Sequence, residues 1–254
     1  MTRRDAADVM PAMRGETIVR LDKEGEPGTT AGLLAAFGAT RPWLDGELTF
    51  LDDVDGLEAA EQSGSVRLYP EGLSTDEPVE TAGGPFMAVV NGDLVTSDHV
   101  HFGTDDYIPG LIVVTGDLHA ETLFFASGAR VIVEGSVRVA QACFGRWGDE
   151  NALLDVQGEL ETPVLVLDGY TPAFARRGVR TVTCNSLGWW DGMTPDILPT
   201  AEKDYFRPEL LDRHGDLDWD LAYAAAREGL PLLRPGAEES FPQRLEARAT
   251  VSGY

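Results

Sequence analysis

The chain has 254 residues, 43% of them hydrophobic, enough for one sizeable core with appendages. Its 43 Asp and Glu outweigh 20 Lys and Arg, a net charge of −23 that argues against nucleic acid or an anionic membrane as partner and favours basic proteins or cations. Two cysteines, Cys143 and Cys184, are too few for a disulfide framework; no apolar run forms a secretory leader or reaches transmembrane length, so a cytoplasmic protein is expected.

Residues 1–15 read as a tail, and the whole of 1–80 as an irregular segment, either early coils or a separate cap. Within it, Thr17–Leu21, Leu48–Leu51 and Val66–Tyr69 are strand candidates. Thr29 or Thr30 can cap a short helix over Ala31–Phe37 that Gly38 ends. Ser74–Glu80 is polar and acidic and reads as an exposed connection.

From Pro85 to Tyr170 one phrase recurs: Val90-Asn-Gly-Asp-Leu94, Val114-Thr-Gly-Asp-Leu118, Val133-Glu-Gly-Ser-Val137 and Val156-Gln-Gly-Glu-Leu160. A repeat at about 20 residues is the mark of a solenoid. Each phrase follows a short Val- and Ile-rich run and precedes a second apolar cluster, so each coil carries at least two short strands. The expected fold is mainly β: a parallel β-helix over 81–185, between the irregular N-terminal segment and a C-terminal α-helical cap over 186–254. By period-2 alternation, Val90, Leu94, Val114, Leu118, Val133, Val137, Val156 and Leu160 face inward. The glycines of the phrase mark a tight inner wall or a bend.

These phrases and their flanking Val, Ile and Leu runs resemble bacterial polymer-forming cytoskeletal, or bactofilin-like, proteins over residues 86–170. The resemblance implies a right-handed parallel β-helix that polymerises end to end without nucleotide. Such assembly needs bare ends and short tails. Here the steps are uneven and some 80 residues flank each side of the repeat, which favours a monomer or small homo-oligomer.

Beyond the repeat, Val179–Thr183 reads as a last strand and Gly188–Gly192 as an aromatic turn. A helix is expected over Ala201–Leu211, split by Pro208. The clearest helix is Asp218–Glu228, with acids at its start, Arg227 at its end and Gly229 to stop it. Leu221, Ala224 and Ala225 are expected to share its buried face and to dock it on a solenoid end, where an open edge needs cover.

No motif brings together a nucleophile, a base and an electrostatic stabiliser, so an enzyme is not expected, and no cofactor is implied. His99 and His101, two apart on one strand, are weak metal candidates near Asp98, Asp105 and Asp106. The uneven steps do not fit the strict hexads of left-handed acyltransferases. Cys184–Gly188 lacks the first Gly of a nucleophile elbow, and Asp212–Asp220 lacks the ligand order of a calcium loop. Trp147, Trp189, Trp190 and Trp219 fit packing on the solenoid flank or a contact surface. The remaining candidate is an acidic ladder: Asp93, Asp117 and Glu159, with Ser136, follow the glycines and stack on one outward edge. Such a ladder fits turn chemistry, or a basic protein partner, as an immunity protein or adaptor would have.

Overall fold

The computed structural model describes residues 17–44, 46–48, 56–81, 83–105, 107–146, 148, 152–167, 171, 173–186 and 202–237. Strands β1 (Val19–Arg20) and β2 (Glu26–Pro27) precede six stacked coils. The first holds β3 (Val66–Tyr69), β4 (Leu73–Thr75) and β5 (Val79–Glu80), and the second β6 (Phe86–Val90), β7 (Leu94–Thr96) and β8 (His99–Phe102). The third holds β9 (Gly110–Val114) and β10 (Leu118–Ala126); the fourth, β11 (Ala129–Val133) and β12 (Val137–Arg146). The fifth holds β13 (Leu153–Val156) and β14 (Glu159–Leu167), and the sixth β15 (Ala173–Ala175) and β16 (Gly178–Ser186). All coil-to-coil pairing is parallel, which makes the molecule a β-solenoid. The first coil lies inside the stretch read from sequence as irregular.

Two sheets build the wall. One contains β3, β6, β9, β11, β13 and β15 and is called the back sheet here. The other has two limbs. The first limb is β4, β7 and the opening halves of β10, β12, β14 and β16; the second is β5, β8 and their closing halves. Ser97 and Asp98 separate the limbs in the second coil, and register shifts beside Thr122 and Ala142 mark the same bend further along.

Register puts like on like: Val90 pairs Val114, Val114 pairs Val133, and Val133 pairs Val156, while Leu94, Leu118, Val137 and Leu160 stack in the same way. All eight are fully buried in the central cluster. Each such side chain contributes roughly 1.5–3 kcal/mol on leaving water. The phrase glycines owe their identity to the turn between coils. The N–H of Gly135 bonds the Gly116 carbonyl at 3.0 Å, and a Cβ on Gly135 would come within 2.5 Å of that oxygen.

Two outer faces are covered by segments that flank the coils. Leu33, Phe37, Leu44, Leu48 and Ala60 cover Met87, Val89, Leu111, Val113 and Ile132 on the back sheet. The expected Thr29 cap is present, its side chain accepting from Gly32 N–H, and the helical turns it starts run to Gly38. Leu48, expected in a strand, is helical; residues 49–51 lie outside the described residues. Ion pairs Arg41–Glu134 (2.8 Å) and Arg130–Glu47 (2.7 Å) pin this cover. At the N-terminal end β1 pairs β5 and β2 pairs β3, with Asp22 buried beside them.

The C-terminal segment covers the outer face of the second limb, not an end of the stack. Tyr205, Phe206, Leu210, Leu217 and Trp219 pack on Phe124, Ala142, Phe144, Val164 and Val166. Phe124 and Phe144 stack at 4.6 Å, and Trp219 meets Phe144 edge-on at 5.1 Å. The helix Trp219–Arg227 has Asp218 as N-cap and ends before Gly229 at φ +65°. Its buried face is Trp219, Ala222, Ala225 and Ala226; Leu221 is 47% exposed and Ala224 is exposed, which corrects the expected face. The rotation follows from Tyr223 and Arg227, whose polar ends reach Glu80 on the sheet. In place of a helix over 201–211 there are two short 3-10 turns, Glu202–Asp204 and Pro208–Leu210, since Pro208 has no N–H to continue an α-helix. Trp147, Trp189, Trp190 and the 188–192 turn lie outside the described residues, as does the side chain of Cys184.

Candidate interaction site

The structure brings Asp93, Asp117, Ser136 and Glu159 into one column at the start of the first limb. Each side chain is tied to the coil that follows it. Asp93 Oδ1 accepts the N–H of Asp117 (2.8 Å), Asp117 Oδ1 that of Ser136 (2.7 Å), and Ser136 Oγ that of Glu159 (3.2 Å). The turn chemistry therefore acts between coils: a carboxylate or hydroxyl completes the pairing where the strands are interrupted. The Ser136 N–H holds the Asp117 carboxyl below its usual range; burial opposes it, and the Arg138 guanidinium adds to the lowering.

Beside the ladder stands a second column, at the residue after each phrase and at its register partner in the sixth coil: Val95, His119, Arg138, Glu161 and Arg180. These side chains point outward from the first limb. Arg138 lies 2.9 Å from Asp117 and 3.8 Å from Glu161, and Arg180 lies 3.8 Å from Glu159 and 4.0 Å from Glu161. His119 is 3.7 Å from Asp117. Opposite charges thus alternate across adjacent coils, the arrangement that parallel stacking rewards. A groove of about 590 Å³ follows the bend between the limbs, from Thr96 in the second coil to Thr181 in the sixth. Ala120, Val139, Ala140 and Pro163 form its apolar part; Glu121, Arg138, Glu161 and Arg180 form its charged walls. Of the three outer faces, this first limb is the one left open among the described residues.

His99 and His101 do share one face, on the second limb, but they meet the C-terminal helix there. His99 lies between two carboxylates, Asp98 at 2.9 Å from Nδ1 and Glu80 at 3.2 Å from Nε2. His101 Nδ1 is 2.7 Å from the Tyr223 hydroxyl. Glu80 Oε1 is also 3.2 Å from both the Tyr223 hydroxyl and Arg227 Nε. Glu80 is buried at 6% exposure, so the stretch Ser74–Glu80 is not wholly an exposed connection. Burial alone would raise its carboxyl, but the His99 hydrogen bond and the Arg227 charge prevail and hold it at about 2. Burial lowers His101 to about 4, with His99 and Arg227 adding to that and Glu80 opposing. Among the described residues no group of three or more His, Cys, Asp or Glu side chains is placed to hold a metal ion. The Asp212 turn serves itself, its Oδ1 accepting from the N–H groups of His214 (2.7 Å) and Asp216 (3.1 Å).

Sequence reasoning missed Glu80, Tyr223 and Arg227, whose association depends on long-range docking. It also missed His119, Arg138, Glu161 and Arg180, although reading each phrase one residue further reveals the first three. No helix among the described residues is long and apolar enough to cross a membrane. In comparisons with protein-family models, curated proteins and solved structures, nothing matches this chain, so the likeness to bactofilin-like proteins rests on the repeated phrase alone.

Proposed function

We propose that this protein is a discrete, non-catalytic interaction module that binds a basic protein partner, in the manner of an immunity protein or an adaptor. The observation that carries this reading is the distribution of cover. Among the described residues the chain wraps two outer faces of its solenoid and pairs β1 and β2 onto the N-terminal end, while the first limb stays open. A net charge of −23 draws cationic proteins toward such a surface and speeds their encounter. Filament growth of the bactofilin kind needs bare ends. The paired β1 and β2, with Asp22 buried beside them, oppose stacking at one of the two. The side chains of the open limb pair with one another, which suits a docking surface more than a reaction centre.

Sedimentation velocity at low and physiological salt, alone and with a basic or an acidic carrier protein of equal size, tests the reading. The expected result is one small species that shifts only with the basic protein, less so as salt rises. Concentration-dependent filaments, or equal binding of both carriers, would overturn it.

A further inference from the structure

The groove along the bend of the first limb has a size and a chemistry that select an occupant. It crosses four coil-to-coil steps, from Thr96 to Thr181. At about 4.8 Å per step that is about 19 Å of length. Dividing its volume of about 590 Å³ by that length leaves a cross-section of roughly 30 Å². A helix with side chains is about 10–12 Å across, or roughly 80–110 Å² in section, and would leave most of its girth outside the groove. An extended chain is narrower and seats more deeply, and at about 3.3 Å per residue the groove's length spans about six residues.

The rim chooses the charge. Within the groove and along its ladder rim, the carboxylates of Asp93, Asp117, Glu121, Glu159 and Glu161 outnumber the guanidinium groups of Arg138 and Arg180. The excess lies toward the second and third coils, since both arginines belong to the fourth and sixth. Ala120, Val139 and Ala140 offer an apolar strip between these charges. Lys and Arg side chains match such a strip, because their aliphatic stems can lie on it while their heads reach the carboxylates.

We infer that this groove binds an extended, Lys- or Arg-bearing polypeptide segment of about six residues, laid along the solenoid axis with its most cationic part over the second and third coils. The inference rests on the reading of the protein as a module for a basic partner. It adds that the partner is gripped through an unfolded segment rather than through a folded face. Held this way, a segment is recognised by its charge pattern, and its affinity falls as salt rises.

The test uses fluorescence anisotropy with two labelled octapeptides, alternating Lys-Ala and alternating Glu-Ala, and the full chain. Three variants are compared: Ala140→Trp, which fills the groove; Glu121→Gln with Glu161→Gln, which removes two of its charges; and Glu26→Gln with Glu58→Gln, which removes two charges elsewhere. The expected result is saturable binding of the Lys-Ala peptide by the wild type and the remote variant, within twofold of each other. The two groove variants should bind at least tenfold more weakly, with thermal unfolding unchanged. If all four proteins bind the cationic peptide alike, the groove is not the site, although a basic partner remains possible. If the wild type does not prefer the cationic peptide even at low salt, the basic-partner reading fails as well.

Discussion

The Tyr223 hydroxyl reaches back 143 residues to the carboxylate of Glu80, at 3.2 Å. Three donors meet on that one Glu80 oxygen: Tyr223, Arg227 and His99. Two of them belong to the C-terminal helix, so this carboxylate orients the helix on a largely apolar surface. Tyr223→Phe removes the hydroxyl and leaves both Glu80 and His101 short of a partner. A loss of about 1–2 kcal/mol is expected, measured by urea unfolding. A variant as stable as wild type would show that the hydroxyl orients nothing.

The same cluster makes stability depend on acid. His101 is lowered to about 4 in the folded protein, so the unfolded chain takes up its proton first as pH falls. The stability tied to neutral His101 is therefore complete above about 6.5 and is lost as pH drops toward 4. Glu80, held at about 2, gives a contribution that is present above about 4.5 and lost between there and 2. Melting temperature should fall in two overlapping stages below pH 6.5. His101→Gln should flatten the upper stage and leave the lower one, as a pH series of thermal melts would record.

Val114 lies at the centre of the stack, between Val90 and Val133, with no exposure. Val114→Asp places a carboxylate in that interior without a partner, and a loss of more than about 4 kcal/mol is expected. Val95 points outward from the first limb and is 36% exposed, so Val95→Asp should change stability by less than about 0.5 kcal/mol. Circular dichroism melts of the two variants compare the two directions directly. Equal stability of both would place Val114 on the wrong side of the wall.

Asp117 separates geometry from charge in the ladder. Asp117→Asn keeps an oxygen for the Ser136 N–H, so it should cost less than Asp117→Ala, which leaves that donor open. The expected difference is about 1 kcal/mol by chemical denaturation. Equal losses in the two variants would mean that the charge, through Arg138, matters more than the bond between coils.

The columns of the core were legible because the repeated phrase is a local signal. Val, Gly and Leu of one coil face their counterparts in the next, and period-2 alternation already says which side they take. The first coil was legible only as one of two readings of 1–80, and the sixth only as a last strand, because their glycines sit one place later. Gly72 and Gly178 occupy the ladder position itself, opposite Asp93 and Glu159, so Tyr69–Leu73 and Ala175–Val179 do not spell the phrase. The position of the C-terminal helix was beyond local reading. Its amphipathic pattern fits several surfaces, and the choice is made by Glu80, which sequence alone places in a polar run after Pro78. The groove arises from the bend between two limbs of one sheet, a property that no single coil expresses.

Because β1 pairs β5, with Val19 beside Val79, the residues of β1 find their partners only once the later strands of the first coil have been made. The aromatic stack of Phe124 and Phe144 waits longer still, for a cover supplied by Tyr205, Phe206 and Trp219. Synthesis therefore passes through a stage in which the wall is built but one of its apolar faces is bare. A chain stopped at residue 200 holds that stage in place and should scatter light where the 254-residue chain stays clear, so a later segment shields a face finished before it.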